Sequence, residues 1–440
     1  MVTMETFAES EARYQAGEAR HRARSAALAR ELCSARRNGL PAGGANTAIH
    51  SGLEGAEPRH RLDVRAFRHV LHIDPERLTA DVEGMATYEA LVDETLGYGL
   101  LPAVVPHGKA VMPGATSGLG IAASSFRHGL ARDSIRKMEI LTGTGDLVEC
   151  SAECHPELFF AVPHAAGTLG CPLRLTVRLV PAAPYVYLTH TRFRAADVFI
   201  AYLAHLSAEA SADFVEGAIF GPGGMYTTEA LFAEGGPEVS DYTSPGGYGA
   251  SIQRHPNDWL TTRGYVRRWE TAAGWHDNPA DARPDLASPA WNSRAGRCLL
   301  RFSRKLLPHA ARSVDALPEV ALPIARAAEF CQCLLAERDM PPVWVCPFRT
   351  GERAADPYTL AANQLWVHFG FRGEDSAIFP AGRYHRLIER AAAAAGGVKV
   401  SGEWAAPWSV QDQARYDWLK RTYDPDGVFP SLHAACMGQQ

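Results

Sequence analysis

Apolar positions recur at helical spacing near the start of the chain. Residues 6–38 read as one helix: Thr6 with Glu9 has the form of a capping box, and Leu28, Leu32 and Ala35 keep the three-to-four spacing. Arg36, Arg37 and Gly39 make a C-terminal stop. Short β-type segments are expected near 62–65, 70–74 and 79–83, followed by a helical stripe of Tyr88, Leu91, Val92 and Leu96 that ends at Gly97 and Gly99. Residues 138–142 and 147–150 flank Gly143-Thr144-Gly145-Asp146, the pattern of a hairpin. Residues 157–160 read as a short helix. In 173–180, Leu173, Leu175, Val177 and Leu179 alternate with Arg174, Thr176 and Arg178, as in a half-buried strand, and Pro181 and Pro184 end the unit. From about residue 190 the texture changes. Residues 221–300 are rich in Gly, Pro, aromatic and turn residues, and 317–336 mixes helix and strand patterns. Residues 343–348 and 365–369 read as strands. Residues 381–395 and 413–423 read as helices, stopped by Gly396-Gly397 and by Asp424-Pro425-Asp426-Gly427.

The alternation of helix and strand patterns predicts an α+β protein of more than one domain. Composition narrows its class. Of 440 residues, 46% are hydrophobic and 21% charged, enough apolar material for a full core and too much for a disordered chain. Forty-four basic against 49 acidic residues give a net charge of −5, which argues against a nucleic-acid partner. No apolar run approaches the roughly 18 residues of a membrane span. The acidic residues among the first thirty fit neither a signal nor a transit peptide, so a soluble, cytoplasmic protein is expected. The nine cysteines hold no CxxC pair; the nearest approach to a metal-ligand cluster is Cys150, Cys154 and His155, with no matching second pair. Reduced, mostly buried thiols and no metal are the expectation.

Candidate chemistry concentrates in two small-residue stretches. One is Pro41-Ala42-Gly43-Gly44-Ala45-Asn46-Thr47. The other leads from Val104-Val105-Pro106 into Gly114, Ala115, Thr116, Ser117, Gly118, Gly120, Ala122, Ala123, Ser124 and Ser125. It is too apolar for a linker and too small-sided for a core strand. Small residues gather where backbone approaches something closely, and successive exposed amides make an anion-binding nest. A tightly wound structural loop is the alternative. A second Gly-containing loop is Gly167-Thr168-Leu169-Gly170. No GxGxxG in context, no P-loop and no GxSxG elbow is present.

At Arg61-Leu62-Asp63-Val64-Arg65-Ala66-Phe67 the chain begins to resemble the FAD-binding proteins of the vanillyl-alcohol oxidase and p-cresol methylhydroxylase type, and within them the branch of the sterol Δ24-reductases. The resemblance is carried by His72-Ile73-Asp74-Pro75 through Thr79–Met85, by Leu101-Pro102-Ala103-Val104-Val105-Pro106, by Gly118-Leu119-Gly120-Ile121 with Ser124-Ser125-Phe126-Arg127-His128-Gly129, and by Leu141-Thr142-Gly143-Thr144-Gly145 and Gly167–Gly170. Phe214-Val215-Glu216-Gly217, Val343-Trp344-Val345-Cys346-Pro347-Phe348 and Tyr423-Asp424-Pro425-Asp426-Gly427 extend it into the second half. It implies a two-subdomain FAD-binding domain over 1–185, an α+β cap supplying the substrate pocket over 186–395, and a segment 396–440 returning to the first domain.

On this resemblance FAD is the cofactor. Its pyrophosphate would lie on Gly43, Gly44, Ala45, Asn46 and Thr47, and its flavin against Pro106, His107, Gly114, Ala115, Gly118, Gly120, Ile121, Ser124, Ser125 and Gly170. The departures cluster where cofactor and substrate should meet. Asn46-Thr47-Ala48-Ile49-His50 replaces a Ser-Asn-Leu-Phe-Arg-like loop, His107 an acidic or amide residue, Pro113-Gly114 a Gly-Gly pair, and Ala122 a Glu. Gly402-Glu403-Trp404-Ala405-Ala406-Pro407-Trp408 stands where a Tyr-Tyr segment is expected. An altered substrate or reaction is the inference.

The expected activity is hydride transfer between a small organic or lipid-like metabolite and the flavin, as dehydrogenase, oxidase or C=C reductase in specialised biosynthesis. The catalytic candidates are His107, because imidazole titrates near neutral pH, Arg127, to stabilise negative charge or to pair with Asp133, and Tyr242 in the cap. His128, Tyr248, Trp404 and Trp408 are lesser candidates. A redox-neutral cyclisation or elimination on the same cofactor, motivated by Ala122, and a cofactor-free binding protein, motivated by the altered first loop, stay open. A small molecule is the expected partner, and a homodimer is left open.

Overall fold

The computed structural model describes residues 7–37, 42–43, 60–107, 120–165, 167–236, 238–242, 247–269, 318–337, 340–352, 360–371, 383–400 and 410–429. The first unit begins with the helix α1 (Phe7–Arg37), then β1 (Ala42–Gly43), β2 (His60–Arg61), β3 (Val70–Asp74), β4 (Thr79–Glu83), α2 (Tyr88–Leu96), β5 (Leu100–Pro102), α3 (Ser125–His128), β6 (Ile135–Leu141), β7 (Leu147–Ser151), α4 (Pro156–Ala161) and β8 (Cys171–Pro181). Its main sheet is antiparallel in the order β3-β4-β8-β6-β7, with β5 also on β8. The alternation read in β8 sets the register: Leu175 stands between Val82 of β4 and Met138 of β6, and all three are buried. Tyr88 and Leu91 of α2 cover that row.

The predicted segment near 62–65 is different. The strand is only His60–Arg61, paired in parallel with Ala42–Gly43, while Leu62 and Val64 are buried without ladder bonds, packed with Leu28 and Leu32 of α1. Burial there comes from the helix above it, so apolar spacing alone gave a strand pattern.

At Pro181 the chain leaves this sheet, and at Tyr185 it enters a second. The elements are β9 (Tyr185–Phe193), α5 (Ala196–Glu209), β10 (Phe214–Ile219), β11 (Met225–Ala233), α6 (Tyr248–Arg254), β12 (Asn257–Thr261), α7 (Thr262–Arg267), β13 (Val320–Pro323), α8 (Ala327–Leu335), β14 (Val343–Arg349), β15 (Leu365–Phe371), α9 (Arg383–Ala394), β16 (Val398–Lys399) and α10 (Val410–Tyr423). The antiparallel order is β12-β9-β11-β10-β14-β15-β13-β16. The nine-residue β11 lies inside the stretch read as turn-rich, because its Thr and Glu positions break the apolar pattern.

This sheet has two distinct faces. Val215 and Ile219 of β10, Val343 and Val345 of β14, and Val367 and Phe369 of β15 point to α5, α8 and α9. The alternate positions, Phe214, Glu216, Trp344, Cys346, Trp366 and His368, point the other way, toward the first unit. Helix α10 returns to the first unit: Tyr416 and Leu419 join its core, and Asp424 accepts the backbone N–H of Val428 at 2.7 Å and of Phe429 at 2.9 Å.

Helix α1 is held by buried charge as well as by leucines. His21 contacts Glu83 at 2.9 Å and Glu139 at 3.0 Å, Arg24 also pairs with Glu83, and Arg174 reaches Glu18 at 2.7 Å. Burial lowers the affinity of His21 for its proton, but bonds from Glu139 and Glu83 outweigh it and raise the pKa from 6.5 to about 9. Burial raises Glu83, while His21, Arg24 and His69 outweigh it and bring it from 4.5 down to about 2. The His21 contribution to docking is complete below pH 6.5 and is lost as pH rises through about 9. The Glu83 contribution is complete above 4.5 and is lost as pH falls through about 2. Amide exchange of α1 should therefore be slowest between about pH 4.5 and 6.5, after correction for intrinsic exchange. His21→Gln should flatten the alkaline limb; an alkaline limb that persists in that variant would assign it elsewhere.

Candidate functional site

The end of the small-residue stretch docks on the front face of the second sheet. Val215 of β10 donates its backbone N–H to the Ala123 carbonyl at 2.8 Å, and the Cys346 thiol of β14 lies 3.2 Å from the Ala122 carbonyl. The local fold follows from small side chains. Gly120 has φ +58°, and a Cβ there would fall 2.6 Å from the Cβ of Ala131. Ser124 donates to the Ala103 carbonyl at 2.8 Å, and Ser125 accepts the Ala122 N–H at 3.0 Å, so both hydroxyls brace the turn.

A narrow cleft with about 20 Å³ of free space opens at this junction. Leu101, Val105, His107 and residues 122–124 line it from the first unit; Phe214 and, around α7, Tyr265, Val266 and Arg268 line it from the second. That free space is about the room of one ordered water, so the cleft marks where the two walls meet rather than a whole ligand site. Helix α7 is fixed from outside: Arg263 grips Asp93 of α2 with two bonds of 2.7 Å, and Arg267 reaches Glu89 at 3.0 Å.

Behind the wall lies a buried ion pair. Glu216 is 1% and Arg268 2% exposed, with Nη2 of Arg268 2.7 Å from Oε2 of Glu216 and Nε donating to Oε1 at 3.1 Å. Glu216 also accepts from Trp344 Nε1 at 2.8 Å, Trp269 Nε1 at 3.2 Å and the Tyr248 hydroxyl at 3.4 Å. The guanidinium lies 3.7 Å from the Tyr265 ring centroid. Burial disfavours the charge on Arg268, but Glu216 more than compensates and raises its pKa. Burial pushes the Tyr248 and Tyr265 phenols and the Cys346 thiol well above their ordinary values, so none of the three ionises near neutrality. The His107 ring stands edge-on to Trp344, 4.4 Å between centroids, and Trp344 in turn meets His368, which bonds Glu319 at 3.2 Å.

The sequence-derived candidates distribute unevenly. His107 and Ser124 line the cleft, and Ile121 packs in the adjoining core. Pro106 precedes His107, and Gly120 and Ser125 shape the turn. Tyr242 sits one layer back, donating to Asp258 and lying 2.5 Å from the Ser251 hydroxyl, with its ring 5.5 Å from Tyr248. Arg127 points away: it pairs with Asp213 at 3.4 Å and donates to the Ala210 carbonyl. The expected pairing with Asp133 is corrected, since that carboxylate accepts the Leu130 N–H at 2.8 Å. Burial, then Arg178 and Arg127, lowers His128 to about 4, which keeps it neutral. Gly170 has φ +149° and a Cβ there would meet the Leu141 carbonyl at 2.8 Å, a packing reason for glycine. Gly43 lies in β1. Gly44, Ala45, Asn46, Thr47, Gly114, Ala115, Gly118, Trp404 and Trp408 lie outside the described residues. Glu216, Arg268, Trp344 and Tyr265 were not singled out as site residues. The readable sign was a lone Glu in the otherwise apolar strand Phe214–Ile219, which demands a buried partner.

Comparison with known proteins adds to this geometry. The FAD binding domain family matches residues 19–151. Relatives include a Δ24-sterol reductase of Pisum sativum, 32% identical over 162 residues, covering 36% of this chain and 28% of that protein. A Δ24-sterol reductase of Arabidopsis thaliana is 23% identical over 353 residues, 72% of this chain and 61% of that protein. Cytokinin dehydrogenase 10 of Oryza sativa subsp. japonica is 32% identical over 132 residues, 30% and 22% of the two chains. The matches thus span less than two thirds of these relatives' length.

Proposed function

On the premise that residues 19–151 are an FAD binding domain of the vanillyl-alcohol oxidase and p-cresol methylhydroxylase type, we propose that the protein is an FAD-dependent oxidoreductase that moves hydride between a small organic or lipid-like metabolite and the flavin. One observation carries this: the cleft joins a wall of backbone and small side chains, residues 122–124, to a wall holding a buried ion pair and flanked by His107. The small-sided wall fits a flat ring system, since no side chain longer than Ser projects from it. When bound, the flavin supplies two-electron hydride chemistry.

The chain's own residues do the rest. The Ala122 and Ala123 carbonyls, tied to Cys346 and to the backbone of Val215, fix the distance between the walls. Leu101, Val105, Phe214 and Val266 make the meeting of the two walls apolar, which limits water there. His107 holds or delivers the proton that accompanies hydride transfer, oriented by the edge of Trp344. Arg127, in its ion pair outside the cleft lining, is no part of this mechanism, and Tyr242 supports Tyr248 from behind.

The proposal keeps the division into 1–185, 186–395 and 396–440, supported by the change of sheet between Pro181 and Tyr185 and by the return of α10. It includes a cytoplasmic location and a role in specialised biosynthesis; the free cysteines among the described residues fit a reducing compartment. Among the described residues no helix is long and apolar enough to cross a membrane. The relatives' names, reductase and dehydrogenase, support redox chemistry, while neither a sterol nor a cytokinin is carried over as substrate.

The test is the visible spectrum of the purified protein, repeated on the supernatant after denaturation. A flavin spectrum, bleached anaerobically by a substrate, is the expected result. A colourless protein that takes up no added FAD would overturn the reading, and turnover without flavin reduction would replace it with redox-neutral chemistry.

A further inference from the structure

From the contacts around Trp344 we infer that Glu216 is a positioning residue of the reaction: it holds the indole of Trp344 by its Nε1–H, and the indole in turn holds the imidazole of His107. This rests on the oxidoreductase reading, in which His107 handles the proton, and deepens it by naming the residues that fix that ring.

The indole is set in a slot of the second sheet. Trp344 of β14 stands across from Ala218 of β10 on one side and Gly370 of β15 on the other. These are the two smallest residue types, and the space they leave is used. A Cβ at Gly370 would fall 3.4 Å from Cε3 of Trp344 and 3.1 Å from Cε1 of His368. The His368 ring packs against the indole with 5.4 Å between centroids and 67° between planes. Nε1 of Trp344 donates to Oε2 of Glu216 at 2.8 Å. The acceptor is fixed in turn, since the same carboxylate is held by Arg268 at 2.7 Å, by Trp269 at 3.2 Å and by Tyr248 at 3.4 Å. The slot fixes the place of the indole, and the directional bond fixes its rotation.

Across the junction the indole meets His107, with 4.4 Å between centroids and 76° between planes. Aromatic rings prefer such an edge-to-face arrangement. An imidazole has two unlike nitrogens, and which of them faces a reacting group depends on the plane of the ring. Proton transfer needs that nitrogen within hydrogen-bond reach, so a tilted ring is a slower one. Glu216 therefore acts on His107 through Trp344.

Nuclear magnetic resonance of the full-length protein, isotopically labelled at Cε1 of histidine and purified with and without added FAD, tests this. The His107 signal is assigned by its loss in His107→Gln. Two double variants remove the ion pair whole and differ only at residue 216. E216Q/R268M keeps an amide oxygen that accepts from Trp344, and E216L/R268M keeps no acceptor. The His107 signal should stay one sharp line in the first and should shift and broaden in the second, as the ring samples other planes. The His21 signal, in the anchor of α1, should be the same in both. Gly370→Ala crowds the indole with residues 216 and 268 intact. It should move the His107 signal as well, and it covers the case in which the double variants do not fold. A His107 signal that is the same in the two double variants, or that ignores Gly370→Ala, would overturn the inference. Flavin content measured on the same samples separates the two readings. A His107 signal that follows residue 216 in a protein that takes up no FAD sinks the oxidoreductase reading alone. An indifferent signal in the FAD-loaded protein sinks this one alone.

Discussion

Glu216→Ala should destabilise the protein by about 3–5 kcal/mol, the loss typical when one member of a buried ion pair is removed. The residue accepts from Arg268, Trp344, Trp269 and Tyr248, and the variant leaves the Arg268 charge with no opposite charge in contact. The damage should reach the cleft, because Glu216 follows Val215, whose N–H ties β10 to Ala123. A pair removed whole behaves differently. Glu216→Leu with Arg268→Met replaces two desolvated charges by apolar side chains of similar reach, which in other proteins is neutral or stabilising. Urea unfolding of the single and double variants decides the matter. If the double variant is as unstable as Glu216→Ala, the loss comes from packing rather than from the orphaned charge.

The first unit was legible because its burial is one-sided and regular. Alternation in Cys171–Pro181 fixed the strand and its inward face, and Gly143-Thr144-Gly145-Asp146 fixed the hairpin that pairs Leu141 with Leu147. Segment 62–65 misled because Leu62 and Val64 are buried by a helix 30 residues away, a tertiary effect that a local period cannot separate from a strand. The second sheet was harder. Met225–Ala233 is covered on both faces over its first residues, so Thr227 and Thr228 are buried and the expected alternation is absent. His107 was found through its place after Val104-Val105-Pro106. Arg268 was not, because its neighbours in the chain form a turn-rich stretch and its partner lies 52 residues earlier. Arg127 shows the converse: a cation in the motif nearest the flavin segment, turned by α3 toward Asp213 and the Ala210 carbonyl.

Replacement of His107 is expected to have the largest effect on turnover. His107→Ala should lower kcat by about 10²- to 10⁴-fold, the range for loss of a positioned general acid or base, while flavin content stays unchanged. The geometry limits the alternatives. The ring lines the cleft and contacts Trp344 edge-on at 4.4 Å, and Tyr248, Tyr265 and Cys346 are held protonated by burial. Among the described cleft-lining side chains, imidazole is then the one whose chemistry suits proton exchange near neutrality. His107→Gln, which keeps hydrogen bonding but not proton transfer, should resemble Ala in kcat and the unaltered protein in flavin affinity. If Gln restores turnover, or if either variant loses FAD in proportion to activity, His107 is a cofactor-holding residue. In that case the proton must reach the cleft from solvent.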